Sequence, residues 1–130
     1  MTILVIGATG NVGKPTVQAL LAKGEAVRCL SRSEDKLADL PQGAVGVVGD
    51  LDNGSGLEEA LAGVDHLFLI TANGETEAQR GLNAVNAAKA AGVQHIVFLS
   101  VQNPGQEPAV PHSRTKLPIE KAIKESGMDY

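Results

Sequence analysis

A chain of 130 residues has the length for one domain with a core of its own. Hydrophobic residues make up 43%, yet Phe68, Phe98 and Tyr130 are the only aromatic side chains, so the core must be aliphatic. A net charge of −4 without a basic run argues against direct nucleic-acid binding, and Cys29 as the sole cysteine excludes an internal disulfide.

The first element is the β-branched and aliphatic run Thr2-Ile3-Leu4-Val5-Ile6, of the kind buried in parallel sheets. A helix follows from about Val12 to Lys23, with Val12, Val17, Ala19, Leu20 and Leu21 at helical spacing, Pro15 in its first turn and Gly24 as its stop. Ala26 to Leu30 reads as the second strand, with Cys29 as a small core residue within it. A short helix over Glu34 to Leu40 ends before Pro41. The third strand is Ala44 to Val48, followed by a helix over Leu57 to Leu61 stopped at Gly63. His66 to Ile70 makes the fourth strand, and Thr71-Ala72-Asn73-Gly74 its exit loop. An alanine-rich helix from about Thr76 to Ala91 stops at Gly92. His95 to Leu99 is the fifth strand; Gln102 to Pro111 is a loop, and Ser113 to Ser126 the last helix. His66 and His95 each open a strand and read as structural.

Five alternations of strand and helix predict an α/β fold, a doubly wound parallel sheet in the order 3-2-1-4-5 with helices on both faces. One domain over 1–130 is expected, cut before the strand that would continue the alternation. An edge left open beyond the fifth strand would allow two copies to pair as a homodimer. No apolar stretch reaches membrane-spanning length, and Met1 leads straight into the first strand without a leader. A cytoplasmic protein without membrane contact is the expectation.

Between the first strand and the first helix stands Gly7-Ala8-Thr9-Gly10-Asn11-Val12-Gly13. Strand, glycine-rich turn and helix together point to a nucleotide site. Gly7 permits the tight turn, Gly10 lets a pyrophosphate approach the backbone, and Gly13 lets the helix lie close on the sheet. The helix N–H groups and dipole would then face the phosphates. An ordinary strand-to-helix turn would not need all three glycines. A phosphate-binding P-loop is excluded, because Ala8 stands where its leading glycine would fall and Pro15 replaces the Ser/Thr that binds magnesium.

The end of the second strand reads Leu30-Ser31-Arg32-Ser33, with no carboxylate until Glu34. An acidic residue there would hold the 2′-hydroxyl of NAD, whereas an arginine accommodates the 2′-phosphate of NADP. NADP(H) is therefore the expected cofactor, with Arg32 at the phosphate, and NAD(H) the alternative. Asp50 and Leu51 after the third strand suit the adenine, or serve ordinary turn chemistry. Thr71 and Ala72 leave the fourth strand at the carboxyl edge, beside the nicotinamide half.

The spacing G-x-x-G-x-x-G resembles the short-chain dehydrogenase/reductase fingerprint. Together with Leu30-Ser31-Arg32, Val48-Gly49-Asp50-Leu51, Phe98-Leu99-Ser100 and His112-Ser113-Arg114-Thr115-Lys116, it makes the chain similar to the nucleotide-binding part of NmrA-type atypical members of that superfamily. The resemblance implies a cofactor site over Gly7, Thr9, Gly10, Asn11, Val12 and Gly13. It also implies a catalytic group of Ser100, Lys116 and the residue four before the lysine. That residue is a tyrosine in the active-enzyme pattern and is His112 here, on one helical face with Lys116. Two functions follow: an NADPH-dependent reductase passing hydride to a quinone or similar small acceptor, or a redox sensor that binds the dinucleotide and signals to a regulatory protein partner. Plainer alternatives stand beside these roles, namely a solvated helix lysine at 116, a helix-start histidine at 112 and a strand-ending serine at 100. No His/Cys/Asp cluster has metal-ligand spacing.

Overall fold

In the computed structural model the described residues are 1–101 and 114–130. Five strands form one parallel sheet in the order β3-β2-β1-β4-β5, as the alternation predicts. They are β1 (Thr2–Ile6), β2 (Ala26–Ser31), β3 (Val45–Val48), β4 (His66–Leu69) and β5 (His95–Phe98). The helices between them are α1 (Gly13–Ala22), α2 (Glu34–Leu37), α3 (Leu57–Leu61) and α4 (Glu77–Ala91), and α5 (Lys116–Glu125) follows β5. α2 is one turn where the sequence predicts two, ending at Leu37 rather than Leu40.

Alternation along β1 divides the core. Leu4 and Ile6 join Leu61, Leu67, Leu69, Val85, Ile96 and Ile119 under α3, α4 and α5. Val5 packs on the other face with Val17 of α1 and with Val27 and Cys29 of β2. No aromatic residue is among the fully buried side chains; Phe98 and Phe68 pack against the two clusters from partly buried positions. Cys29 is fully buried and burial pushes its thiol up to about 11, which leaves it an inert core residue. Val12 and Ala19 depart from the expected apolar stripe: both are exposed, and α1 buries only Gly13 and Val17 fully.

His66 and His95 lie side by side at the amino ends of β4 and β5, with Nδ1 atoms 3.3 Å apart. They open their strands, at the end of the sheet opposite the carboxyl edge. Asp129 adds to β5 in parallel: the Ile96 N–H donates to its carbonyl at 2.8 Å and its own N–H donates to Gln94 at 3.0 Å. The edge expected to stand open is thus engaged at its start by the chain itself.

The turn out of β1 is the tightest place in the fold. Gly7 has φ +89°, and a Cβ there would stand 2.7 Å from Ile70 Cβ. A Cβ on Gly13 would stand 1.9 Å from the Gly7 carbonyl oxygen. The contact that requires glycine at 13 is with the turn directly after β1, and Val17 of the same helix packs on Val5 and Val27 of the sheet. Gly13→Ala forces two backbone segments apart in a rigid place and should cost about 3 kcal/mol. Urea unfolding would show the midpoint falling with an unchanged slope.

Candidate functional site

Each parallel strand ends on the same edge, so the residues after the strands converge. Gly7, Arg32, Asp50, Thr71 and Ser100 follow β1 to β5 there. Where α1 leaves β1 toward one face and α4 leaves β4 toward the other, a cleft of about 350 Å³ opens. It is the crevice in which open α/β sheets take their ligands. Gly7, Thr9, Gly10, Arg32, Asp50, Leu51, Thr71 and Ala72 line it together with Ser31 and Arg80. Asn11, Val12 and Gly13 lie outside its lining, in the turn and at the start of α1. A larger groove of about 860 Å³ between α3 and α4 is lined by Asp52, Leu57, Glu58 and a run of alanines, asparagines and a glutamine, and includes no residue of the glycine turn.

The turn folds back on itself through the Gly10 N–H, which donates to the Gly7 carbonyl at 3.2 Å. α1 then begins at Gly13 without a side-chain cap, so no side chain takes up its first N–H groups. A Cβ on Gly10 would lie 3.6 Å from the Gly7 oxygen, an ordinary contact, so packing does not require glycine there. Gly10 also lines the cleft.

On the rim, Asp52 meets two arginines. Arg80 holds it by both fork positions, Nε to Oδ1 at 2.6 Å and Nη2 to Oδ2 at 3.1 Å. Arg32 approaches the same carboxylate at 3.7 Å. The hydrogen bonds from Arg80, ahead of the two guanidinium charges, hold the Asp52 carboxyl below the usual range. A carboxylate therefore does stand near Arg32, carried there by the β3–α3 loop and not by β2. Asp50 performs turn chemistry, its Oδ1 accepting the Asp52 N–H at 2.8 Å, while Leu51 lines the cleft.

Behind Thr71 lies a second, buried network. Glu77 in the first turn of α4 is completely enclosed. Its carboxylate accepts from Lys116 Nζ at 2.5 Å, from Thr71 Oγ1 at 2.7 Å and from the Thr115 hydroxyl. Lys116 is 5% exposed and 5.8 Å above the Phe98 ring, which overturns the solvated reading of this lysine. Ser100 donates to Glu120 Oε1 at 2.7 Å, and no hydrogen bond between described residues links it to Lys116. His112 lies outside the described residues. Glu77, Arg80 and Asp52 escape the sequence reading. An acid in a first helical turn has a sufficient local reason in the helix dipole, and pairs 28 and 39 residues apart leave no periodic trace.

Fold and cleft define a Rossmann-like α/β domain of the dinucleotide-binding kind. Over residues 1–130 the chain belongs to the NmrA-like family. It is 39% identical over 131 residues to the (4-alkanoyl-5-oxo-2,5-dihydrofuran-3-yl)methyl phosphate reductase of Streptomyces griseus, covering 98% of this chain and 45% of that protein. It is 36% identical over 139 residues to the photosystem II assembly factor Ycf39 of Cyanophora paradoxa, covering all of this chain and 43% of that one. The NADPH-dependent quinone oxidoreductase of Escherichia coli, solved with NADPH, superposes with a TM-score of 0.87 at 29% identity, over 97% of this chain and 46% of that one. The chain thus spans less than half the length of these relatives. Among the described residues no helix is long and apolar enough to cross a membrane, and no three His, Cys, Asp or Glu side chains could hold a metal ion.

Glu77→Ala would leave a buried ammonium and two threonine hydroxyls without their acceptor, and should cost about 3–5 kcal/mol in urea unfolding. Acid has a defined sign here. Burial pushes the Glu77 carboxyl up, but the hydrogen bonds from Lys116, Thr115 and Thr71 and the Lys116 charge outweigh it, so it lies below its ordinary 4.5. The stability this contributes is complete above about pH 4.5 and is lost as pH falls through the depressed folded value. Glu77→Gln should flatten that part of the acid limb in unfolding measured between pH 6 and 3.

Proposed function

We propose that this chain is the NADPH-holding part of a reductase that delivers hydride to a quinone or similar small carbonyl acceptor. The observation that carries this reading is the single cleft into which both the glycine turn and Arg32 open. The steric cradle fits the cofactor: Gly7 and Gly13 have no room for a Cβ, and Gly10 keeps none although packing would allow it. In this reading Gly7, Thr9, Gly10, Asn11, Val12 and Gly13 receive the pyrophosphate at the start of α1. Arg32 receives the 2′-phosphate, Asp50 and Leu51 flank the adenine, and Thr71 and Ala72 flank the nicotinamide half. The bound cofactor supplies the hydride. Lys116 meets the nicotinamide ribose while keeping Glu77, and Ser100 and His112 handle the proton that converts the reduced acceptor to its hydroxyl form. A quinone needs little acid help, because its reduced form is a stabilised aromatic diolate.

A second reading has a specific observation behind it. The tyrosine four before Lys116 is replaced by His112, and one relative is an assembly factor. In that reading NADP(H) binding alters association with a protein partner, without turnover.

Calorimetric titration of NADPH and NADH into this chain tests the common part. NADPH should bind more tightly, and Arg32→Ala should reduce that preference about tenfold or more while sparing NADH. NADPH oxidation on addition of a quinone would then favour the reductase; binding without oxidation would favour the sensor.

A further inference from the structure

The rim of the cleft contains an arginine that the nicotinamide reading does not use. Arg80 lines the same cleft as Gly7, Leu51 and Arg32, yet its side chain is held differently from that of Arg32. Arg32 is 63% exposed and meets Asp52 only at 3.7 Å, so its fork is available to an incoming phosphate. Arg80 is 22% exposed and already gives Nε and Nη2 to both oxygens of Asp52. A bidentate pair fixes the guanidinium plane and offsets its charge. An arginine so tied has its charge offset by the carboxylate, which weakens its pull on a phosphate, and it retains a flat face of the kind that stacks on an aromatic base.

The wall behind it is fixed as well. One turn further along α4, Asn83 Nδ2 donates to the Leu51 carbonyl at 2.7 Å. Arg80 and Asn83 thus clamp the β3–α3 loop to α4 by two side chains, at the Asp52 carboxylate and at the carbonyl of Leu51, which lines the cleft. Such a platform is ordered before any ligand arrives, which lowers the ordering cost of binding.

We propose that Arg80 is the stacking surface for the adenine of the bound dinucleotide, and that Asp52 is the positioning residue that holds its plane. The proposal rests on the dinucleotide reading of the cleft and adds the residue that recognises the base. It separates two arginines on one rim by chemistry: Arg32 reads the 2′-phosphate, and Arg80 reads what NADPH and NADH share.

Titrating NADPH, NADH and ADP into the wild-type chain and its variants tests this. Arg80→Ala should weaken all three ligands by the same factor, about tenfold. Arg80→Lys should be nearly as weak, because it keeps the charge and loses the plane. Asp52→Asn should weaken them less, and Asp52→Asn combined with Arg80→Ala should be no worse than Arg80→Ala alone, a coupling that a merely structural Asp52 would not produce. Loss confined to NADPH, rescue by Arg80→Lys, or unchanged binding in Arg80→Ala would each overturn the assignment. If the wild-type chain takes up none of the three, the dinucleotide reading itself falls, and the assignment with it; wild-type binding indifferent to Arg80 sinks the assignment alone. Unfolding midpoints of the variants establish that each is folded in the titration.

Discussion

Everything at the carboxyl edge depends on how closely α1 approaches the end of β1. The Gly7 carbonyl oxygen would lie 1.9 Å from a Cβ on Gly13, so six residues carry the chain from sheet to helix only because that carbon is missing. The same closeness sets the uncapped start of α1 directly against the turn out of β1. A longer connection would fold, and would point the helix dipole elsewhere. The constraint is steric before it is electrostatic: the missing Cβ decides where the start of α1, and with it the helix dipole, is placed.

α4 supplies the charge on the other side. Glu77 and Arg80 are three residues apart in its first turn, yet they belong to separate networks. Glu77 turns inward to Lys116, Thr71 and Thr115, while Arg80 turns to Asp52 on the rim. The buried pair ties α4 to α5, and the rim pair ties α4 to the β3–α3 loop. Burial makes the first expensive to break. Exposure makes the second cheap, so its value is in geometry and not in stability.

Sheet order, strand positions to within a residue at each end and the glycine turn were legible in the sequence because local patterns encode them. Period-two and continuous apolar runs mark strands, and a glycine pattern between strand and helix has few other uses. Arg32 and Leu51 were found because the fold dictates what stands after β2 and β3. Glu77 was not, since nothing in Thr76-Glu77-Ala78-Gln79-Arg80 distinguishes a buried carboxylate from an ordinary solvated helix start. Asp52 was passed over for a related reason: its partner lies 28 residues away, on an element whose rotation about its own axis no local pattern sets. The reach of a sequence reading ended where side chains from separate elements meet.

Lys116 shows what such a meeting does to a motif. A lysine four residues after His112 matches the superfamily spacing, but the spacing says nothing of the carboxylate that holds its ammonium. Withdrawing Lys116 from Glu77 to reach a ligand would strand a buried negative charge, at a cost of several kcal/mol. Any hydroxyl that Lys116 serves must therefore come to the ammonium where it is, using donors that Glu77 leaves over. Thr71 lines the cleft and donates to the same carboxylate, so the distance from cleft to ammonium is bridged by one threonine and one glutamate. Glu77 thereby fixes the ammonium in place, and the hydrogen bond and charge of Lys116 help hold the carboxylate below its ordinary range while Thr71 donates to it from the cleft wall.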